Sequence, residues 1–149
     1  MKESIKVINS LLMDSFDNIL TLEKNAVESG PFKDLTLAEL HAIEAINEQS
    51  GTMTEIAGKL GITVGSLTVT INRLVKKEYV ARAYTEKDRR CVKLSLTSKG
   101  RLANRVHDYF HVNMVKKMTA NLSEEEEKVL IKSLEELTRF FKEEYPKTF

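Results

Sequence analysis

His107 and His111 lie four residues apart in a stretch without helix breakers. On a helix that spacing brings two imidazoles to one face, where they suit a pair of metal ligands or the hydrogen-bonding groups of a buried pocket. A second set of groups lies mid-chain. Ser66, Thr68, Thr70 and Asn72 alternate with apolar residues, and Arg73 and Lys76 follow. Short hydroxyl and amide side chains on one helix face approach base edges closely, and thymine methyls accept contact from Thr or from Val69. Cations further along such a helix meet phosphate. A third set, Lys87, Asp88, Arg89 and Arg90, lies between two alternating stretches. It reads as the basic tip of a hairpin, with Asp88 orienting Arg90, and the potential of a minor groove attracts arginine.

The distribution of charge agrees with these groups. Formal net charge is only +1 over 149 residues, yet residues 53–101 hold 11 Lys/Arg against 4 Asp/Glu, a net of +7. The rest of the chain has 12 against 18, a net of −6. A basic middle third flanked by acidic ends suits a polyanionic partner.

Catalysis finds little support. No glycine-rich phosphate loop follows a predicted strand, and no Ser/His/Asp or Cys/His grouping has the context of a nucleophilic site. Cys91 is the one cysteine, so no internal disulfide framework forms, and a thiol-reducing cytoplasm is the expected home. No apolar run approaches the roughly 18 residues of a membrane span, and the first residues lack the apolar core of a signal peptide.

The elements that must position these groups follow from periodicity and punctuation. From Ser4 to Val27, Ile5, Ile8, Leu12, Phe16, Ile19, Leu20 and Val27 recur at helical spacing, and Gly30-Pro31 breaks the pattern. Thr36 and Glu39 form a capping box for a helix that buries Leu40, Ile43 and Ile46 and closes near Gly51. Thr52 and Glu55 open a short helix that keeps Ile56, Ala57 and Leu60 on one side, and Gly61 supplies a left-handed stop. The next helix runs from Val64 to Lys77 with Val64, Leu67, Ile71, Leu74 and Val75 at core spacing. Two short helices across a glycine-containing turn make a helix-turn-helix. Tyr79–Tyr84 and Cys91–Leu96 then alternate as two strands around the basic tip. A long helix is expected over Ser98–Thr119. Ser123 and Glu126 box the start of a last helix, where Glu124 to Glu127 suit the helix dipole, and Val129 or Leu130, Leu134, Leu137 and Phe141 extend its apolar stripe until Pro146.

The predicted fold is mainly α (α+β), a winged helix-turn-helix over 36–100. The first helix, within 1–35, and the long fifth and last helices, within 101–149, carry more apolar residue than this small domain needs. They are expected to form a dimerisation region, since two-fold pairs are the commonest soluble oligomers.

On Ile56–Ile62, Leu67–Leu74, the Asp88-Arg89-Arg90 wing and Leu94-Ser95-Leu96-Thr97-Ser98-Lys99-Gly100, the chain resembles the MarR family of bacterial transcriptional regulators over essentially its whole length. One departure stands out: the family usually has glycine after the recognition helix, where this chain has Glu78 before Tyr79. The left-handed stop there falls to a non-glycine residue. Phe32–Thr36, Glu39-Leu40-His41, and Gly100-Arg101-Leu102 with His107, Phe110 and His111 make it similar to the fatty-acid-synthesis repressors, the FabT branch.

The resemblance implies a cytoplasmic homodimeric repressor on a palindromic operator in double-stranded DNA, its two recognition helices about 34 Å apart. In that branch an acyl chain on acyl carrier protein is the corepressor, and an effector acts by shifting the helix spacing. Phe16, Leu20, Leu40, Val106, Phe110 and Met114 are candidates to line an apolar pocket between the first, second and fifth helices. Zinc-sensing members of the family resemble a further arrangement here: a glutamate of the first helix, a histidine of the second and a His-x-x-x-His pair of the fifth. Glu23, His41, His107 and His111 match it, so a zinc-responsive repressor is the alternative, and the same histidines equally suit a ligand pocket. A winged helix whose basic patch meets an acidic protein is the alternative of another class.

Overall fold

The computed structural model describes residues 2–48, 51–85 and 88–144, with backbone only at 85 and 88–90. The order is α1 (Glu3–Ser29), α2 (Leu37–Glu48), α3 (Met53–Leu60), α4 (Val64–Lys76), β1 (Val80–Thr85), β2 (Asp88–Leu96), α5 (Ser98–Thr119) and α6 (Glu124–Glu144).

Local chemistry sets most of these limits. Thr36 and Glu39 cap α2 reciprocally, Thr36 N–H donating to the Glu39 carboxylate at 2.8 Å and Glu39 N–H to Thr36 Oγ1 at 3.2 Å. Thr52 and Glu55 do the same for α3, and Ser123 and Glu126 for α6. Such boxes satisfy amides that the helix itself leaves without partners, at about 1 kcal/mol each. At the far end of α3, Gly61 takes φ 66°, and the amides of Gly61 and Ile62 close on Gly58 and Ala57.

The core lies among α2, α3, α4, the hairpin and the start of α5. Ile43, Ile46, Ile56, Leu67, Ile71, Leu74, Tyr79 and Leu94 are almost completely buried. Val64, expected on the core side, is 43% exposed: as the first residue of α4 it lies beyond the layer that covers Leu67.

The hairpin is a two-stranded antiparallel sheet pairing Val80 with Leu96 and Tyr84 with Val92. Its second strand begins at Asp88, three residues before the expected Cys91, so the backbone of Asp88–Arg90 belongs to the strand rather than to the tip. A register shift between Tyr84 and Thr85 lets Thr85 pair with Asp88 and keeps the connection short. The base of β2 is also tied to the entry of α3, Leu94 N–H donating to Gly51 O at 3.0 Å.

α1 meets this core only at its end, through the partly buried Val27, and α6 adds no apolar side chain to it. Glu23 is the one buried residue of α1 and α6 has none. Ile8, Phe16, Leu20, Val129, Ile131, Leu134 and Phe141 are each about half exposed or more.

Candidate nucleic-acid interface and histidine cluster

The recognition helix is held from behind and open in front. Leu67, Ile71 and Leu74 anchor α4 in the core. Ser66, Asn72, Arg73 and Lys76 are exposed on its other side, with Thr68 and Thr70 half-buried beside them. Thr63 caps the helix by accepting from Ser66 N–H at 3.1 Å. The Thr68 hydroxyl donates to Val64 O at 2.7 Å and keeps its capacity to accept. Val69 is 52% exposed on the same side. Arg82 of β1 was not singled out by its sequence context. Its guanidinium donates to Asn72 Oδ1 and ties the hairpin to α4.

The exit of α4 is held by a dense set of hydrogen bonds. Glu78 takes φ 65°, its N–H closes on Val75 O at 3.0 Å, and Tyr79 N–H closes on Leu74 O at 2.9 Å. These two bonds are the left-handed helix stop usually made by glycine. Lys77 turns inward. Its ammonium donates to both Glu39 oxygens, at 2.8 and 2.9 Å, and to Asp34 O, so three protons meet three acceptors. Tyr79 donates its hydroxyl to Asp34 at 2.9 Å and meets the edge of Phe32. Burial and that carboxylate push the phenol pKa well above its ordinary value. Lys99 closes the joint from α5, with Nζ 4.2 Å over the Tyr79 ring and bonded to Lys77 O at 2.9 Å. Thr97 Oγ1 donates to Glu78 O at 2.7 Å and accepts from Gly100 N–H.

Lys87 lies outside the described residues, as do the side chains of Asp88, Arg89 and Arg90; the backbone places the last three on β2.

Three of the four candidate ligands converge at the junction of α1 and α5. His111 Nε2 lies 2.9 Å from Glu23 Oε1 and 3.1 Å from His107 Nε2. Ligand atoms of Glu23, His107 and His111 all lie within 4.8 Å of one another. His41 stands at the edge, its Nε2 3.9 Å from the same Glu23 oxygen and its side chain 41% exposed. Tetrahedral zinc, with Zn–N of about 2.0–2.1 Å, spaces its ligand atoms about 3.3 Å apart, and His111 stands near that spacing from both Glu23 and His107, two imidazoles and a carboxylate being donors of the type zinc takes. Burial holds the His107 pKa below the usual histidine range, and the His111 charge acts in the same direction, which keeps a lone pair available.

Leu40, Val106 and Phe110 line a small apolar cavity together with Val27, Pro31, Phe32 and His107. Met114 lines the adjoining cleft, shared with Val106 and Phe110. Phe16 and Leu20 line neither; both lie about half exposed on the part of α1 that precedes the cavity.

The MarR family model matches residues 35–92, from the end of the first loop to the second strand. Streptococcus pneumoniae FabT, solved in complex with DNA, superposes with a TM-score of 0.89 at 37% identity, covering 93% of this chain and 98% of that one. Reduced Escherichia coli MarR shares the fold, with a TM-score of 0.71 at 24% identity over 87% of this chain and 94% of that one. The Bacillus subtilis transcriptional repressor MdtR is 25% identical over 101 residues, 67% of this chain and 65% of its own, so the match spans just under two thirds of that repressor. With 37% identity carried across nearly the full length of two chains that share this winged-helix architecture, the chain belongs to the MarR family, a family of DNA-binding regulators and not of enzymes.

Proposed function

We propose that this chain is a cytoplasmic transcriptional repressor that binds palindromic operator DNA as a homodimer and controls fatty-acid-synthesis genes. The carrying observation is the end-to-end likeness to FabT solved with DNA, on a helix whose polar face from Ser66 to Lys76 is uncovered. Ser66, Thr68, Thr70 and Asn72 read base edges, and Arg73 and Lys76 hold phosphate, as do Lys87 and Arg89. Arg90 enters the minor groove. The half-exposed apolar residues of α1 and α6 supply the seam for a second copy; contiguous apolar surface of this kind is uncommon on soluble monomers.

The effector is an acyl chain carried on acyl carrier protein. The cavity under Pro31, Phe32, Leu40 and Phe110 and its adjoining cleft support this reading by being apolar and by touching the loop that contacts Tyr79. Fluorescence anisotropy with the full chain tests the proposal. Random duplex should bind weakly and with strong salt dependence, promoter duplex from fatty-acid-synthesis genes more tightly, and long-chain acyl carrier protein should tighten the latter. No binding to any duplex in dilute buffer sinks the DNA-binding reading.

The Glu23–His107–His111 convergence favours a second reading, a zinc-responsive repressor. Glu23, His107 and His111 would hold the ion, with His41 as the nearest fourth donor. Bound there, zinc would act as a crosslink between α1, α2 and α5 and supply no reaction chemistry. Titrating tag-free protein with zinc chloride tests it: stoichiometric binding abolished by joint replacement of His107 and His111 supports the reading. Absence of binding with an intact acyl carrier protein response excludes it.

A further inference from the structure

We propose that Arg82 is a positioning residue that sets the hydrogen-bonding polarity with which Asn72 meets a base. The inference rests on the duplex-reading role of α4 proposed above and adds a specificity rule to it.

Arg82 sits midway along β1, opposite Leu94 in the ladder. Side chains alternate along a strand, so Arg82 shares a face with Val80, which is buried against the core. From that face its guanidinium reaches α4 and donates to Asn72 Oδ1. Both residues are exposed, so the pair lies on the surface a duplex would meet.

The chemistry settles which amide atom faces which way. A guanidinium has five donors and no acceptor, so the atom it holds must be the amide oxygen. The Asn72 amino group is therefore the free end. A free asparagine in the major groove reads adenine with both ends, accepting from N6 and donating to N7. Arg82 takes one of the two lone pairs of the Asn72 oxygen and sets its positive charge beside the other. A base donor approaching that oxygen is therefore opposed, while the amino donors stay unopposed. Such a group suits edges that present acceptors, guanine N7 and O6 or thymine O4, and leaves the adenine N6 donor unmatched. The hairpin thus takes part in reading sequence through a residue it does not itself contain.

Sites selected from a randomised duplex library by the full chain, and by its Arg82→Ala, Arg82→Lys, Asn72→Asp and Asn72→Ala variants, test this. Asn72→Ala locates the dependent position. The wild type should enrich guanine or thymine there. Arg82→Ala should shift that one position toward adenine by about tenfold, leaving the rest of the motif unchanged. Asn72→Asp, which keeps an oxygen for Arg82 but loses the donors, should abolish the guanine or thymine preference. Arg82→Lys, which keeps the charge and a donor, should retain it at least in part. An adenine preference in the wild type overturns the proposal. So does an Arg82→Ala variant with normal base preference and uniformly weaker binding, which would make Arg82 a phosphate contact. Failure of the wild type to bind any duplex would instead remove the DNA-reading role on which the inference stands.

Discussion

Lys77, one residue past the recognition helix, is joined to Glu39, near the start of α2, by two hydrogen bonds of 2.8 and 2.9 Å. Glu39 is nearly inaccessible, and its side chain also closes the cap on Thr36. A buried carboxylate is tolerated only when paired, so the two elements are held in one relative placement by a charge that has nowhere else to go. Asp34 O binds the same ammonium, which brings the α1–α2 loop into the joint.

Replacing Lys77 with Met should therefore cost about 3 kcal/mol of stability, most of it the penalty of an abandoned Glu39 charge. The double variant with Glu39→Gln should recover at least about 1 kcal/mol of that loss, a coupling readable from urea midpoints. Strictly additive losses would show that the pair does not act as a unit.

Gly100 should tolerate no side chain. A Cβ there would come within 2.1 Å of Tyr79 O and 3.2 Å of its carbonyl carbon, both backbone atoms with no rotamer to yield. Gly100→Ala is expected to cost roughly 3 kcal/mol despite the better helix propensity of alanine. Thermal unfolding measures it, and a neutral or stabilising effect would contradict the close approach.

At Glu78 the sign reverses. Its φ of 65° strains any residue with a Cβ. Glu78→Gly should raise stability by up to about 1 kcal/mol, which for a chain of this size means a Tm higher by roughly 2–4 °C.

The buried imidazole gives the fold a pH dependence. His107 titrates lower in the folded protein than in the unfolded chain, where it sits near about 6.5. Above that value both states are neutral and stability is full. As pH falls below it, the unfolded chain takes up a proton that the fold refuses, and stability declines until pH passes beneath the folded value. Urea midpoints in chelator between pH 7.5 and 5.5 should fall for the wild type, and more shallowly for His107→Gln.

Lys76→Ala should weaken random and selected duplexes by the same factor and lower the salt slope by about one. A loss confined to the selected sequence would make Lys76 a base reader.

Much of this was legible because it is written locally. The capping boxes at Thr36, Thr52 and Ser123, the stop at Gly61 and the non-glycine stop at Glu78 each depend on residues within a few positions. What escaped is long-range. Nothing near Lys77 says that it bonds to a carboxylate 38 residues earlier, and Arg82 looks like any exposed strand residue until the hairpin folds over Asn72. The extension of β2 to Asp88 follows from pairing with Thr85 rather than from any preference of Asp88 or Arg89 for a strand. Glu23, by contrast, emerged through its likeness to a known arrangement; its burial against His111 gives that likeness a geometry.

The contact between Gly100 and Tyr79 has a mechanical consequence. With helix backbone pressed on the carbonyl that ends the left-handed turn, and Thr97 and Lys99 bonded across the same spot, the root of the long helix behaves as an axle keyed to the reading head. In the repressor proposed above, a tilt of that shaft would carry the exit of the recognition helix with it.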